Sequence, residues 1–218
     1  MNVNGRHIGS GATLGANVRV VNMCAASRDT YHHGDLRSAL LAAGRELLVE
    51  RGPAGFSLNE LSRRVGVSTA APYRHFADRD ALLDALANEG YAIFGAALRA
   101  AAQAAPDPRA CLVGLGVAYL DFAAEHPDVF QLMFGDRAGR PAPAGPPTFE
   151  PLVTAVVQAQ DAGVLPADQA VGDLARTIWA TLHGLAVLDA RGGLTKLGLG
   201  DSRDGLVRQA MSMLLGRV

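Results

Sequence analysis

Thr69, Ala70, Tyr73 and His75 follow directly on Val65-Gly66-Val67-Ser68. The chemistry such residues can do is hydrogen bonding and methyl contact rather than bond breaking. Small Thr69 and Ala70 allow close backbone approach, and their methyls suit a thymine methyl in a major groove about 12 Å wide. Tyr73 and His75 can donate to phosphates, as can backbone amides at helix starts near Ser57, Ser68 and Arg79. Arg28, Arg63, Arg64, Arg74 and Arg79 supply positive charge nearby. Pro72 is expected to face outward with these residues and to remove one early bond of the helix that carries them. The candidate contacts are therefore Ser57, Ser68, Thr69, Ala70, Pro72, Tyr73, His75 and Arg79. Read singly, each arginine is as well explained by a solvated face, and Phe76 by a core.

The elements that would position these groups are helical throughout, and the fold class expected is all-α. Leu36, Leu40, Ala43, Leu47 and Leu48 recur at helical spacing until Gly52-Pro53 stops them. Ser57 and Glu60 read as a capping box opening a short helix that ends near Gly66. Ser68 is the next cap, for a helix over 69–76. Asp78 opens a long Ala/Leu helix to about Ala105, broken by Pro106 and Pro108. Further helices are expected over 109–125, 128–134, 148–162, 167–190 and 203–215, with a Pro/Gly-rich loop over 135–147.

Composition limits the alternatives. The chain has 218 residues, 49% of them hydrophobic, so a core is available. The formal net charge is -1, but unevenly spread: ten Arg face seven acids through Asp80, and ten basic residues face fourteen acids from Ala81 onward. Cys24 and Cys111 are too few for a disulfide framework and form no metal-ligand pair, which points to a reducing, cytoplasmic setting. No apolar run reaches transmembrane length. No phosphate-cradling Gly loop, H-E-x-x-H, C-x-x-C or nucleophile elbow is present, so no enzyme, cofactor or metal is expected. His32 and His33 are adjacent and do not share a helix face. The first 27 residues read as a disordered extension, with Met23 a possible start.

The motifs Tyr31–Arg37, Phe56–Ser68, Ala71–Phe76 and Arg79–Leu83 together resemble the DNA-binding domain of the tetracycline-repressor (TetR) family. Arg79 stands where that family usually has Lys, which keeps the charge. Phe122–Gly135 and Trp179–Ala186, the latter with Trp followed by His-Gly, resemble one subclass (WHG) of the family's C-terminal domains. The resemblance implies a helix-turn-helix head over 28–90, with its helix-turn-helix at about 57–76, and a ligand-binding and dimerising body over 91–218. Implied partners are a double-stranded DNA operator, a second copy of the chain and a small apolar or aromatic ligand, with no membrane. The implied function is a repressor released by that ligand; a helix-turn-helix regulator without a ligand is the alternative, and a helical enzyme a remote one.

Two apolar stripes, Leu174 to Leu188 and Leu206 to Leu214, are expected to form the dimer seam. Phe94, Tyr119, Phe122, Phe130, Met133, Phe134, Phe149, Trp179 and His183 are the candidate ligand contacts, by the rule that small-molecule sites have apolar walls and few polar groups. Taken singly, each is more often plain core, and His183 beside Gly184 reads first as a satisfied buried histidine.

Overall fold

The computed structural model describes residues 33–135 and 142–215; the expected N-terminal extension, Met23, Arg28 and His32 lie outside them. Nine α-helices occur among the described residues: α1 (His33–Arg51), α2 (Leu58–Val65), α3 (Arg79–Ala104), α4 (Pro108–Glu125), α5 (Pro127–Phe134), α6 (Glu150–Asp161), α7 (Val171–Ala190), α8 (Gly193–Lys196) and α9 (Arg203–Leu214). No strand is present among them. No described helix is long and apolar enough to cross a membrane.

Two cores organise these helices. The first is formed by Leu40, Leu47 and Leu48 of α1, Leu58 and Leu61 of α2, and Leu82, Leu83 and Leu86 of α3, closed by Phe56 and Phe76. The second is larger and is built from α3 beyond Tyr91 together with α4, α5, α6, α7 and α9. Helix α3 therefore contributes its first half to one core and its second half to the other. Helix α5 is shared too. Its Leu132 is buried in the first core, whereas Phe130 and Met133 belong to the second. Gly90 allows this: a Cβ there would lie 2.5 Å from Val129 Cγ1 and 2.7 Å from Met133 Sδ, so α3 and α5 meet at backbone distance. Tyr91 reinforces the seam by donating its hydroxyl to the Met133 carbonyl at 2.9 Å.

Local signals explain most helix ends. Asp78 accepts from the Ala81 amide at 2.7 Å, Asp107 from Ala110 at 2.8 Å, and Ser202 from Gly205 at 3.1 Å. Two expectations fail for identifiable reasons. Ser57 precedes α2 but makes no side-chain cap, and Glu60 is drawn toward Arg51 at 3.5 Å instead of back to Ser57. Helix α7 starts at Val171 rather than 167, because the carbonyls of Pro166 and Gln169 accept from the Gln160 side-chain amide at 2.7 and 2.8 Å. The 192–200 join also contains the short helix α8, which no periodicity announced.

The C-terminal stripes are core on one side only. Ile178, Leu182, Ala186, Leu206, Val207 and Met211 are all buried within the chain. They clasp α4, whose Gly116 would place a Cβ 2.6 Å from Val207 Cγ1 and 2.9 Å from Leu182 Cδ2. The buried members of the stripes thus pack against α4, while Leu188 and Met213 of the same stripes stay exposed.

Candidate nucleic-acid interface and apolar cavity

The turn after α2 is set by Gly66, at φ 77° and ψ 31°. Its amide bonds Arg63 O, and the Val67 amide bonds Ser62 O at 3.0 Å. This is the Schellman closure, which a Cβ at Gly66 would strain. Buried Ser62 returns its hydroxyl to Leu58 O at 2.9 Å, which satisfies it within the core.

The segment that follows is tighter than expected. Only Pro72–Arg74 is regular, and it is a 3-10 turn. Pro72 has no N–H to offer Ser68 O, so that carbonyl bonds the Ala71 amide at 3.0 Å instead. Ala71 and Pro72 are buried. Pro72 therefore does not face outward as expected; it is buried at the start of the 3-10 turn. Ser68, Thr69, Ala70, Tyr73 and Arg74 are exposed and His75 is half-buried. Tyr73 is 55% exposed, with its ring turned to solvent.

The arginines divide by partner. Arg64 grips Glu50 with two donors at 2.8 and 2.6 Å, bracing α2 on α1, and this contact lowers the carboxyl's pKa. Arg79 donates to the carbonyls of Phe56, at 3.0 Å, and Pro53. Its guanidinium thus ties the start of α3 to the loop before α2, and at the interface Arg79 offers the N-terminus of α3 more than its own charge. Ser57, half-buried, stands at the corresponding end of α2. Arg37 lies over the Phe76 ring at 5.2 Å.

The body holds a cavity of about 660 Å³ between α3, α4 and α7, roofed by the Pro146–Phe149 turn and α6. Among the expected contacts, Phe94, Tyr119, Phe134, Phe149 and Trp179 line it. Phe122, Phe130, Met133 and His183 do not. Phe122 backs Phe94, ring centres 4.9 Å apart. Phe130 stacks on His183 at 5.5 Å, and Met133 fills the space over Gly90. His183 stands one layer behind the wall, its Nδ1 2.9 Å from the Tyr119 hydroxyl. Tyr91, Leu98, Leu115, Thr148, Gly172 and Arg176 also line the cavity and were not anticipated. Gly172 and Arg176 had a readable signal, since they precede Trp179 by seven and three residues on one helical face.

Burial raises the Tyr119 phenol, which stays protonated, and lowers His183 from its ordinary 6.5. The His183 sign is definite. As pH falls below 6.5 the unfolded chain takes up a proton before the folded one does, so stability drops until the folded-state value is passed. Denaturant midpoints at about pH 7.5 and about pH 5.5 should differ less in His183→Asn than in the parent protein. Equal pH sensitivity would contradict this placement of His183. Among the described residues no group of three potential metal ligands occurs.

Comparison with known proteins bears on both halves. Residues 40–86 match the model for bacterial regulatory proteins of the tetR family, and residues 112–214 match the tetracyclin repressor-like C-terminal domain. The chain belongs to the TetR family. A structure from Rhodococcus sp. RHA1, of a protein of unknown function, is 38% identical over 86% of this chain and 97% of its own, with a TM-score of 0.74. SCO4313, described as a candidate regulatory protein, is 29% identical over 84% and 97%, with a TM-score of 0.68. The TetR-family regulator PfmR from Thermus thermophilus shares the fold at 18% identity, over 81% and 96%, with a TM-score of 0.62. This TetR-family chain is accordingly a DNA-binding transcriptional regulator and not an enzyme. The exposed Thr69, Ala70, Tyr73 and Arg74 lie inside the matched DNA-binding region, and the cavity is lined largely from the matched C-terminal region.

Proposed function

We propose that this regulator is a homodimeric, cytoplasmic repressor that leaves a palindromic operator when a small apolar or aromatic molecule fills the α3/α4/α7 cavity. The observation that carries the reading is continuity. Tyr91, Phe94 and Leu98 wall the cavity from the same helix whose Leu82, Leu83 and Leu86 build the core beneath the DNA-facing turn. Helix α5 doubles that link, with Phe134 in the cavity wall and Leu132 in the first core. A ligand shifts the DNA-competent population only by its differential affinity for two arrangements of such elements. Two recognition segments must dock about one DNA turn apart, roughly 34–36 Å, so a tilt of α3 would spoil simultaneous docking.

The seam that remains available lies on the outer faces of α7 and α9. Thr177, Ala180, Thr181, Gly184 and Leu188 follow one another at helical spacing. The two threonine hydroxyls bond back to Asp173 O and Thr177 O at 2.9 Å, which leaves methyl groups for packing. Leu188 is 48% and Met213 74% exposed. A two-fold assembly on these faces would cover them and match a palindrome.

The test of release is a thermal screen of hydrophobic metabolites and drugs, followed by operator titration with each stabilising molecule. Stabilisation with lowered operator affinity is expected; stabilisation with unchanged affinity would refute the sensor reading. On the DNA side, Tyr73→Ala should weaken all sequences about equally, whereas Thr69→Ala should change sequence preference, by about 1–3 kcal/mol at one base step. Affinity should also fall steeply with salt. A Thr69→Ala effect uniform across sequences would remove this placement of the reading surface.

A further inference from the structure

The polar groups inside the cavity are already spoken for. Tyr91 donates to the Met133 carbonyl and Thr148 to the Gly145 carbonyl, at 2.9 and 2.7 Å. The Tyr119 hydroxyl meets His183 Nδ1 at 2.9 Å. With the Tyr119 phenol kept protonated by burial, its hydroxyl donates to a neutral His183, in keeping with the lowered His183 pKa. A ligand entering between these walls meets mainly aromatic and aliphatic surface, and the hydroxyls of Tyr91, Tyr119 and Thr148 are each engaged with the protein.

The mouth differs. Arg176 is the one charged residue among the described lining. It lies one helical turn beyond Gly172 and one before Trp179, and its side chain is 70% exposed. Asp173 engages one of its nitrogens at 2.7 Å, but a guanidinium carries five donors. Gly172, beside it, would place a Cβ in open space, with nothing within 4 Å. An unobstructed cationic rim thus stands over an apolar interior that could not accept a charge without large cost.

We infer that the cavity is built for an amphipathic organic anion, its apolar body against Phe94, Tyr119 and Trp179 and its carboxylate or sulfonate head at Arg176. This deepens the sensor reading and rests on it. Arg176 then sets ligand class, and Asp173 tempers it by competing for the same donors.

The experiment compares two probes with one aromatic body. Anilinonaphthalene sulfonate carries the anion, and its parent phenylnaphthylamine does not. Trp179 is the only tryptophan in the chain, so energy transfer from its indole reports a probe bound near it, and competition between the two probes together with the response of the sulfonate to Arg176→Met assigns that binding to this cavity. The sulfonate is expected to bind about fivefold or more tightly than the parent, the modest size reflecting an exposed cation. Arg176→Met should erase that preference and leave the parent's affinity unchanged, whereas Asp173→Asn should strengthen it. Both sites are on the surface, so folding is not at stake. If both probes bind equally and Arg176→Met changes neither, the anion proposal fails and the apolar sensor stands. If neither probe takes energy from Trp179, the cavity is not a ligand site and both readings fail.

Discussion

Met213→Asp is expected to yield a folded protomer that no longer dimerises and has lost about a thousandfold or more of its operator affinity. The side chain stands 74% exposed on α9, so the substitution leaves the protomer's own packing in place. In the proposed dimer the same position is covered, and an unpaired carboxylate there would carry a large desolvation cost. One head alone keeps only half of the base contacts, and specific binding exceeds non-specific binding by typically 10³–10⁷. Sedimentation and operator titration of the same sample check both parts. A Met213→Asp protein that remains dimeric and binds normally would place the seam elsewhere. Leu182→Asp gives the contrast. Leu182 is 2% exposed, against Gly116 of α4, so a charge there should unfold the chain and leave no folded monomer.

The second large effect belongs to Phe94. It is 2% exposed, with ring centres 5.1 Å from Tyr119 and 4.9 Å from Phe122. Phe94→Ala removes the ring that separates the cavity from the packed aromatics behind it. Such truncations cost about 3–5 kcal/mol, which for a chain of this length lowers the melting temperature by on the order of 10 °C. The enlarged cavity should also take bulkier apolar molecules, which then restore part of the lost stability by mass action. A melting temperature within about 2 °C of the parent's would mean that the core is not packed around Phe94.

What the sequence revealed, and what it hid, follows from the range of the interactions concerned. Gly66 and Asp78 were legible because each acts on backbone a few residues away. Pro72 was legible only in part: its missing N–H predicts a weakened helix, but its burial is set by tertiary packing. Ser57 and Glu60 have the spacing of a capping box, yet Arg51 is nine residues from Glu60 and competes for its carboxylate. The stripes on α7 and α9 are correctly periodic and divided in use: their buried members pack within the chain and Leu188 and Met213 stay exposed, since periodicity marks an apolar face without naming what covers it. α4, from another part of the chain, lies against them. The same limit divides the aromatics. Phe94, Tyr119, Phe134, Phe149 and Trp179 face the cavity while Phe122 and Phe130 back it, a distinction set by helix rotation that no single segment encodes. Arg176 was passed over because a lone surface arginine usually marks nothing; its place at the rim gives it meaning.

The central claim is that the cavity and the DNA-facing turn share one equilibrium, and the reciprocity of binding tests it directly. For the molecule that most raises the melting temperature, two affinities are measured: the protein for operator with and without that molecule, and the protein for that molecule with and without operator. Both should fall by the same factor, within the roughly 5- to 150-fold range typical of allosteric coupling. Operator affinity that does not change when the cavity is saturated would contradict the account.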